Sequence, residues 1–358
     1  MKKRIFSIIA LALVCAFTLS ACDGCTNLQP INFTNAFNGG SGLKEENPVS
    51  GYQETLTYDV SYAKSHEGYA INSALNSNED VKFTFEKGKY VSTLTVYSSF
   101  NEVLGGQLES DILSSLEDNQ KQAYHLHTEF SVDVTYEITG RELYSNTDTI
   151  VSDVYFCDST LSYAPVYSLT NANYTNFYYS TNSEAVKVKT ISEIKYNKNN
   201  YTISFTVNDN KPTITTKEYN FKSIIDNAQL LFALRNFSVE LDSTQALPVV
   251  ASNYGEAVPL VVRNNQKNII KYEQDNPLSY NYDSFDGDVE ISHLLFYRNQ
   301  KNETGAMQHV YIQNKVDNSP LAYKSLLVRY VEPLTSYRTI VPMGVLVYNL
   351  NSVDVEYN

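Results

Sequence analysis

Apolar and polar residues alternate along most of this chain, and a period of two is the mark of a half-buried β-strand. Over 54–62, Leu56, Tyr58, Val60 and Tyr62 share one face. Residues 81–85 alternate in the same way, 86–89 supply a turn, and 90–97 resume the alternation, which predicts a hairpin. The cleanest strand spans 124–136. Further strands are expected at 149–156, 185–196, 201–207 and 212–219, with asparagine-rich turns at 197–200 and 208–210. This run reads as an antiparallel meander. After a break near 220 the pattern returns at 258–272, 289–297, 307–313, 326–331 and 345–357. Two helices interrupt it. One is expected at 108–116, from the spacing of Ile112, Leu113 and Leu116. The other starts at Asp226, a good N-cap residue, and carries Leu230, Leu231, Leu234 and Phe237 as an apolar stripe with Arg235 outside it. The expected fold is mainly β: a large curved antiparallel sheet, half-open and barrel-like, with one or two helices covering an apolar cleft. The alternative is a pair of β-sandwich lobes with a boundary near residue 220.

The N-terminus departs from this pattern. Lys2, Lys3 and Arg4 form a cationic head, and residues 5–19 are apolar. That run is short for a membrane span, which needs roughly 20 residues. It ends in Leu19-Ser20-Ala21-Cys22, which resembles the lipobox of bacterial lipoproteins. The resemblance implies that residues 1–21 are a signal peptide removed before Cys22. It also implies that the Cys22 thiol takes a diacylglyceryl group, and that fatty acyl chains of the palmitate kind hold the protein at the extracytoplasmic face of the cell membrane. Two acyl chains bury enough methylenes for stable anchoring, where one is marginal. Residues 22–50 read as a tether, because Asn38-Gly39-Gly40-Ser41-Gly42 has flexible-linker composition. Residues 51–358 are then the β-rich extracytoplasmic domain. Asp23 after the lipidated cysteine resembles an inner-membrane retention signal, which has meaning only in a two-membrane envelope. Cys22-Asp23-Gly24-Cys25 matches C-x-x-C, but acylation consumes the first thiol, so redox or zinc chemistry is not expected there. Cys25 lies in the tether and Cys157 in a strand, which argues against a disulfide between them.

Composition adds two constraints. Hydrophobic residues make up 42% and charged residues 19%, which is a folding composition. The net charge is −13, and the cationic head is the part that cleavage removes, so the remaining chain is more acidic still. Such a body repels nucleic acid and anionic lipid alike. No nucleic-acid partner is expected, and membrane contact is left to the acyl chains on Cys22.

Candidate chemistry is sparse. His125, His127 and Glu129 share one face of the 124–136 strand, because residues two apart project together. Two imidazoles and a carboxylate suit zinc. The same face continues through Ser131, Asp133 and Thr135, however, with Leu126, Phe130, Val132 and Val134 opposite, as in any half-buried strand. No metal and no cofactor are therefore expected, with His125, His127 and Glu129 as the candidate donors should one bind. Asp283, Asp286, Asp288 and Glu290 suggest calcium, but His293 falls where the EF-hand register requires a bidentate glutamate. Ser61-Tyr62-Ala63-Lys64 fits S-x-x-K but ends a strand, where that nucleophile motif opens a helix. No P-loop, G-x-S-x-G or G-x-G-x-x-G occurs. Catalysis is not expected. Tyrosine is abundant at 29 residues, and Tyr155, Tyr163, Tyr167, Tyr174, Tyr178 and Tyr179 crowd one segment. Rings with polar tips line sugar and lipid sites, so these six are the candidate ligand contacts.

The body resembles the half-open antiparallel barrels of the lipoprotein-carrier (LolA/LolB-like) group and their envelope relatives. The residues that carry the likeness are the opening 54–62 strand, the helix that starts at Asp226, and the closing segments 325–330 and 344–348. The resemblance implies a sheet around an apolar cavity and a lipid or other amphipathic ligand. The rival expectation is a structural or adhesive surface protein that binds glycan. Neither expectation names a protein partner.

Overall fold

The computed structural model describes residues 50–64, 81–103, 122–138, 143–158, 163–178, 184–197, 200–218, 224–235, 244–250, 257–281, 283–297, 308–313, 326–335 and 342–357. The expected helix at 108–116, most of the tether, Cys22 and Cys25 lie outside these residues. Strands carry nearly all of what is described. The first half holds β1 (Tyr52–Ala63), β2 (Val81–Tyr97), β3 (Ala123–Ile138), β4 (Tyr144–Asp158), β5 (Tyr163–Tyr178), β6 (Glu184–Tyr196), β7 (Asn200–Val207) and β8 (Thr213–Glu218). The second half holds β9 (Ile225–Asp226), β10 (Thr244–Val250), β11 (Ala257–Tyr272), β12 (Leu278–Tyr280), β13 (Asp283–Phe285), β14 (Gly287–Tyr297), β15 (Gln308–Gln313), β16 (Leu327–Thr335) and β17 (Pro342–Tyr357). Two short helices accompany them: α1 (Phe100–Val103) and α2 (Leu230–Leu234), the second entered through a 3₁₀ turn at Asn227–Gln229. Among the described residues no helix is long and apolar enough to cross a membrane.

These seventeen strands form one sheet. From β8 the meander runs back to β1, passes directly to β17, and continues through β16, β15, β14, β11 and β10 to β9. Pairing is antiparallel except where β9 meets β10 and β12 meets β17. Because β1 lies between β2 and β17, the two halves of the sequence share one continuous sheet across residue 220. The single curved sheet, of the two architectures the sequence allowed, is the one present.

The far edge curls back onto the inner face of the first half. Ile224 and Val250 pack with Ile194, Tyr196, Tyr201 and Ile203. Asp226 accepts hydrogen bonds from the Ser168 hydroxyl of β5 at 2.6 Å and the Tyr196 hydroxyl of β6 at 2.5 Å. Closure therefore rests on side chains at this seam, where β9 has only two residues to offer.

The sheet encloses α2. All five of its residues are buried. Leu230, Leu231, Ala233 and Leu234 join the main core, and Phe232 packs on Phe156 with ring centroids 5.3 Å apart. A helix this short has no stability of its own in water, so its burial holds it in shape. Asp226 caps the preceding turn as the sequence indicated, accepting from the Ala228 N–H at 2.8 Å.

Two expectations need correction. The sequence pattern sets Arg235 outside the apolar stripe, yet it is 3% exposed. With sheet on both sides, the end of α2 has no wet face to give it. Its guanidinium instead meets the Glu54 carboxylate of β1 in two contacts, Nη1 to Oε1 at 2.5 Å and Nη2 to Oε2 at 3.0 Å. The hairpin expected within 81–97 is one strand. Phe85 faces Val134 and Tyr90 faces Phe130, so both halves pair with β3, and residues 86–89 form a bulge. Lys87 takes φ of 52° there. A Cβ on Gly88 would lie 2.4 Å from the Val60 carbonyl oxygen, so the crossing needs glycine.

The enclosed ion pair makes a stability prediction. Removing one partner of a buried pair strands the other charge and costs about 3–5 kcal/mol. Arg235→Leu is expected to lower unfolding free energy by that amount in urea titrations. The Glu54→Leu/Arg235→Leu double variant is expected to recover most of the loss.

Candidate functional site

The outward face of β3 and β4 holds the chemistry. Antiparallel register sets His127 opposite Asp153 and His125 opposite Tyr155. Directly opposed side chains stand within contact distance, and diagonal ones remain within reach of long side chains. Asp153 Oδ1 therefore lies 2.8 Å from His127 Nδ1 and 2.8 Å from His125 Nε2. Glu129 lies 3.0 Å from the far nitrogen of His127, Nε2. The two histidines singled out from the sequence do converge, but the carboxylate between them is Asp153. Glu129 stands behind His127.

The wall of this site is stiff. The His125 ring stacks on Tyr155 at 4.4 Å between centroids, with planes 3° apart. Tyr155 is itself buried in a small outer cluster with Phe100 and Val103 of α1, Ala123 and Val166. A packed aromatic under an imidazole restricts its rotamers, which is the support a binding site requires.

The carboxylates set the protonation. The Asp153 hydrogen bond, opposed by burial and reinforced by Glu129, raises the His127 pKa to about 9. Burial alone would raise Asp153, but hydrogen bonds from His125 and His127 and their positive charge hold it well below the ordinary carboxylate range. The raised pKa favours the imidazolium form of His127, which spans two carboxylates.

The tyrosines divide between the two faces. Tyr155 and Tyr167 are cross-strand neighbours on the outer face, and the Tyr167 hydroxyl donates to Glu193 Oε1 at 3.3 Å. Tyr174 points inward and is fully buried in the main core. Tyr163 and Tyr178 contribute backbone to β5, and Tyr179 lies outside the described residues. The aromatic density of this segment thus serves two surfaces. Asp283, Asp288 and Glu290 fall on the strands β13 and β14, with Asp286 between them, and Ser61 sits in β1.

Inside, Leu56, Tyr58, Tyr90, Leu231, Phe232 and Arg235 border a small recess beside α2. Its volume of about 10 Å³ is roughly one water. Two carboxylates on the inner face are paired. Asp148 accepts from Asn146 Nδ2 and from the Thr175 N–H and hydroxyl, and burial raises its pKa. Glu332 accepts from the Tyr348 hydroxyl. On the opposite side of the sheet, the buried His293 and His309 of β14 and β15 bond to each other at 2.9 Å.

No family model matches the sequence, and no curated protein matches it either. Among solved structures the chain is similar to a β-barrel-like protein of a domain of unknown function, DUF1849, from Brucella abortus. The likeness covers 86% of this chain and 99% of that one, at 6% identity and a TM-score of 0.45.

The His127–Asp153 pair gives this face a pH signature. A depressed Asp153 contributes stability present above roughly pH 4 and lost in stronger acid; a raised His127 contributes stability that is full below about pH 6.5 and lost as pH rises through 9. In chelator-containing buffer, the difference in melting temperature between the natural chain and His127→Gln is expected to be largest near pH 5–6. It should fade by about pH 10.

Proposed function

We propose that this chain is a lipid-anchored protein of the extracytoplasmic face of a cell membrane, that it works without catalysis, and that it binds a lipid or other amphipathic envelope ligand inside its curved sheet. The cationic head, apolar run and Leu19-Ser20-Ala21-Cys22 support the anchor. The tether then sets the β domain away from the bilayer.

One observation carries the ligand reading: the apolar interior is filled by a five-residue helix that cannot hold itself together. Leu230, Leu231, Phe232 and Leu234 present to the sheet the kind of surface an acyl chain presents. The recess beside them holds about one water, so a ligand enters by displacing α2. The hold on α2 is polar at both ends, through Asp226 and Arg235. Displacement therefore means unmaking those contacts together. The buried carboxylates are engaged with structural partners, which fits a binding protein. The same tight packing favours a second reading, a structural or adhesive surface protein whose sheet interior is only a core.

Two measurements test the proposal. Metabolic labelling with palmitate is expected to mark the natural chain and to leave Cys22→Ala unlabelled and released from the membrane fraction. Native mass spectrometry of detergent-extracted protein is expected to show a bound lipid mass that dissociates on collisional activation. An apo mass under all extraction conditions rejects the lipid ligand and leaves the structural reading. Persistent labelling of Cys22→Ala rejects the anchor.

A further inference from the structure

We infer that His125, His127 and Asp153 form a binding site for a divalent transition-metal ion, zinc(II) in the first instance, on the outer face of the sheet. This site is independent of any ligand inside the sheet. One ring nitrogen each of His125 and His127 and an Asp153 carboxylate oxygen all lie within 4.8 Å of one another. They come from two adjacent strands in fixed register, the histidines two apart on β3 and the aspartate opposite on β4.

The donor chemistry selects the ion. Two imidazole nitrogens and one carboxylate oxygen suit zinc and its d-block neighbours. Calcium and magnesium take oxygen ligands, and this trio offers only one oxygen-bearing side chain. The present Asp153 contacts, 2.8 Å to each imidazole, are hydrogen-bond lengths. Zinc sits about 2.0–2.2 Å from nitrogen and oxygen ligands. An ion among the three therefore replaces the shared protons with a small outward swing of the Asp153 carboxylate.

The surroundings resemble a prepared site more than a chance cluster. Glu129 holds the outer nitrogen of His127 at 3.0 Å, which is the carboxylate–histidine support that orients metal-bound imidazoles. Tyr155 holds the plane of His125. Side-chain exposures of 14% for His125, 33% for His127 and 26% for Asp153 leave one side open to solvent. That opening admits the ion and leaves room for water as a fourth ligand.

The test uses the full, lipidated chain in detergent, stripped with chelator. Titration with zinc chloride in a calorimeter is expected to show one saturable site with Kd on the order of micromolar or tighter. Cobalt(II) in its place is expected to give visible d–d bands. His125→Ala, His127→Gln and Asp153→Asn should each weaken zinc binding by more than about 100-fold, and Glu129→Gln by about 10–100-fold. Calcium should not compete. Cys25→Ser serves as the control for the C-x-x-C segment and should bind zinc like the natural chain. Circular dichroism of each variant distinguishes a lost site from a lost fold, and a folded His127→Gln that binds zinc normally overturns the proposal. So does loss of binding in Cys25→Ser, or the absence of saturable binding in the natural chain.

Discussion

A guanidinium and a carboxylate sealed away from water hold this molecule's interior in place. Glu54 and Arg235 stand 181 positions apart in sequence. Taking either charge out of water alone is prohibitive; taking both is tolerable because they meet in two parallel contacts. Burial alone would lower the affinity of Arg235 for its proton, and the facing Glu54 charge more than reverses that. The pair therefore has one good geometry. That geometry ties the end of α2 to β1, the strand that joins the two halves of the sheet. Tyr52, two residues before Glu54, adds its hydroxyl at 3.3 Å.

The other end of α2 follows the same logic with neutral donors. Asp226 is fully enclosed, and burial raises its pKa despite three hydrogen bonds. The Tyr196 hydroxyl that serves it is pushed far above its ordinary value by burial and by the carboxylate. Such groups contribute little net stability, because desolvation offsets most of what they gain. They do choose among arrangements. Apolar packing between Ile224, Val250 and the inner face of β6 and β7 would tolerate sliding; a carboxylate that must meet Ser168 and Tyr196 together does not.

Legibility in the sequence followed the range of each interaction. Period-two alternation was enough to place β1, β3 and β7, because each is wet on one side and dry on the other. It was not enough within β2, since a bulge leaves both flanking patterns intact and looks like a turn. It failed at Arg235 because charge predicts exposure only when a wet face exists. Asp226 was legible, as its capping role is local. Asp153 was not: it lies 26 residues from His127, and only the β3–β4 register brings them together. The tyrosines misled in the opposite direction, because a dense segment that forms a strand delivers alternate rings to opposite sides.

That pleat also links the two surfaces of the protein. On β3, Leu126, Phe130 and Val132 pack into the interior while His125, His127 and Glu129 project outward. The interior residues fix the height and twist of the strand, and a strand so fixed cannot move one histidine relative to the other. Tyr155 repeats the arrangement on β4, where its neighbours Val154 and Phe156 are in the inner core. The outer donors owe their convergence to packing they never touch. A rigid core behind a partly exposed His–His–Asp trio holds three ordinary side chains in the arrangement we propose takes a metal ion. A loop with the same three residues would have to order itself around the ion at an entropic cost of about 1–2 kcal/mol per residue.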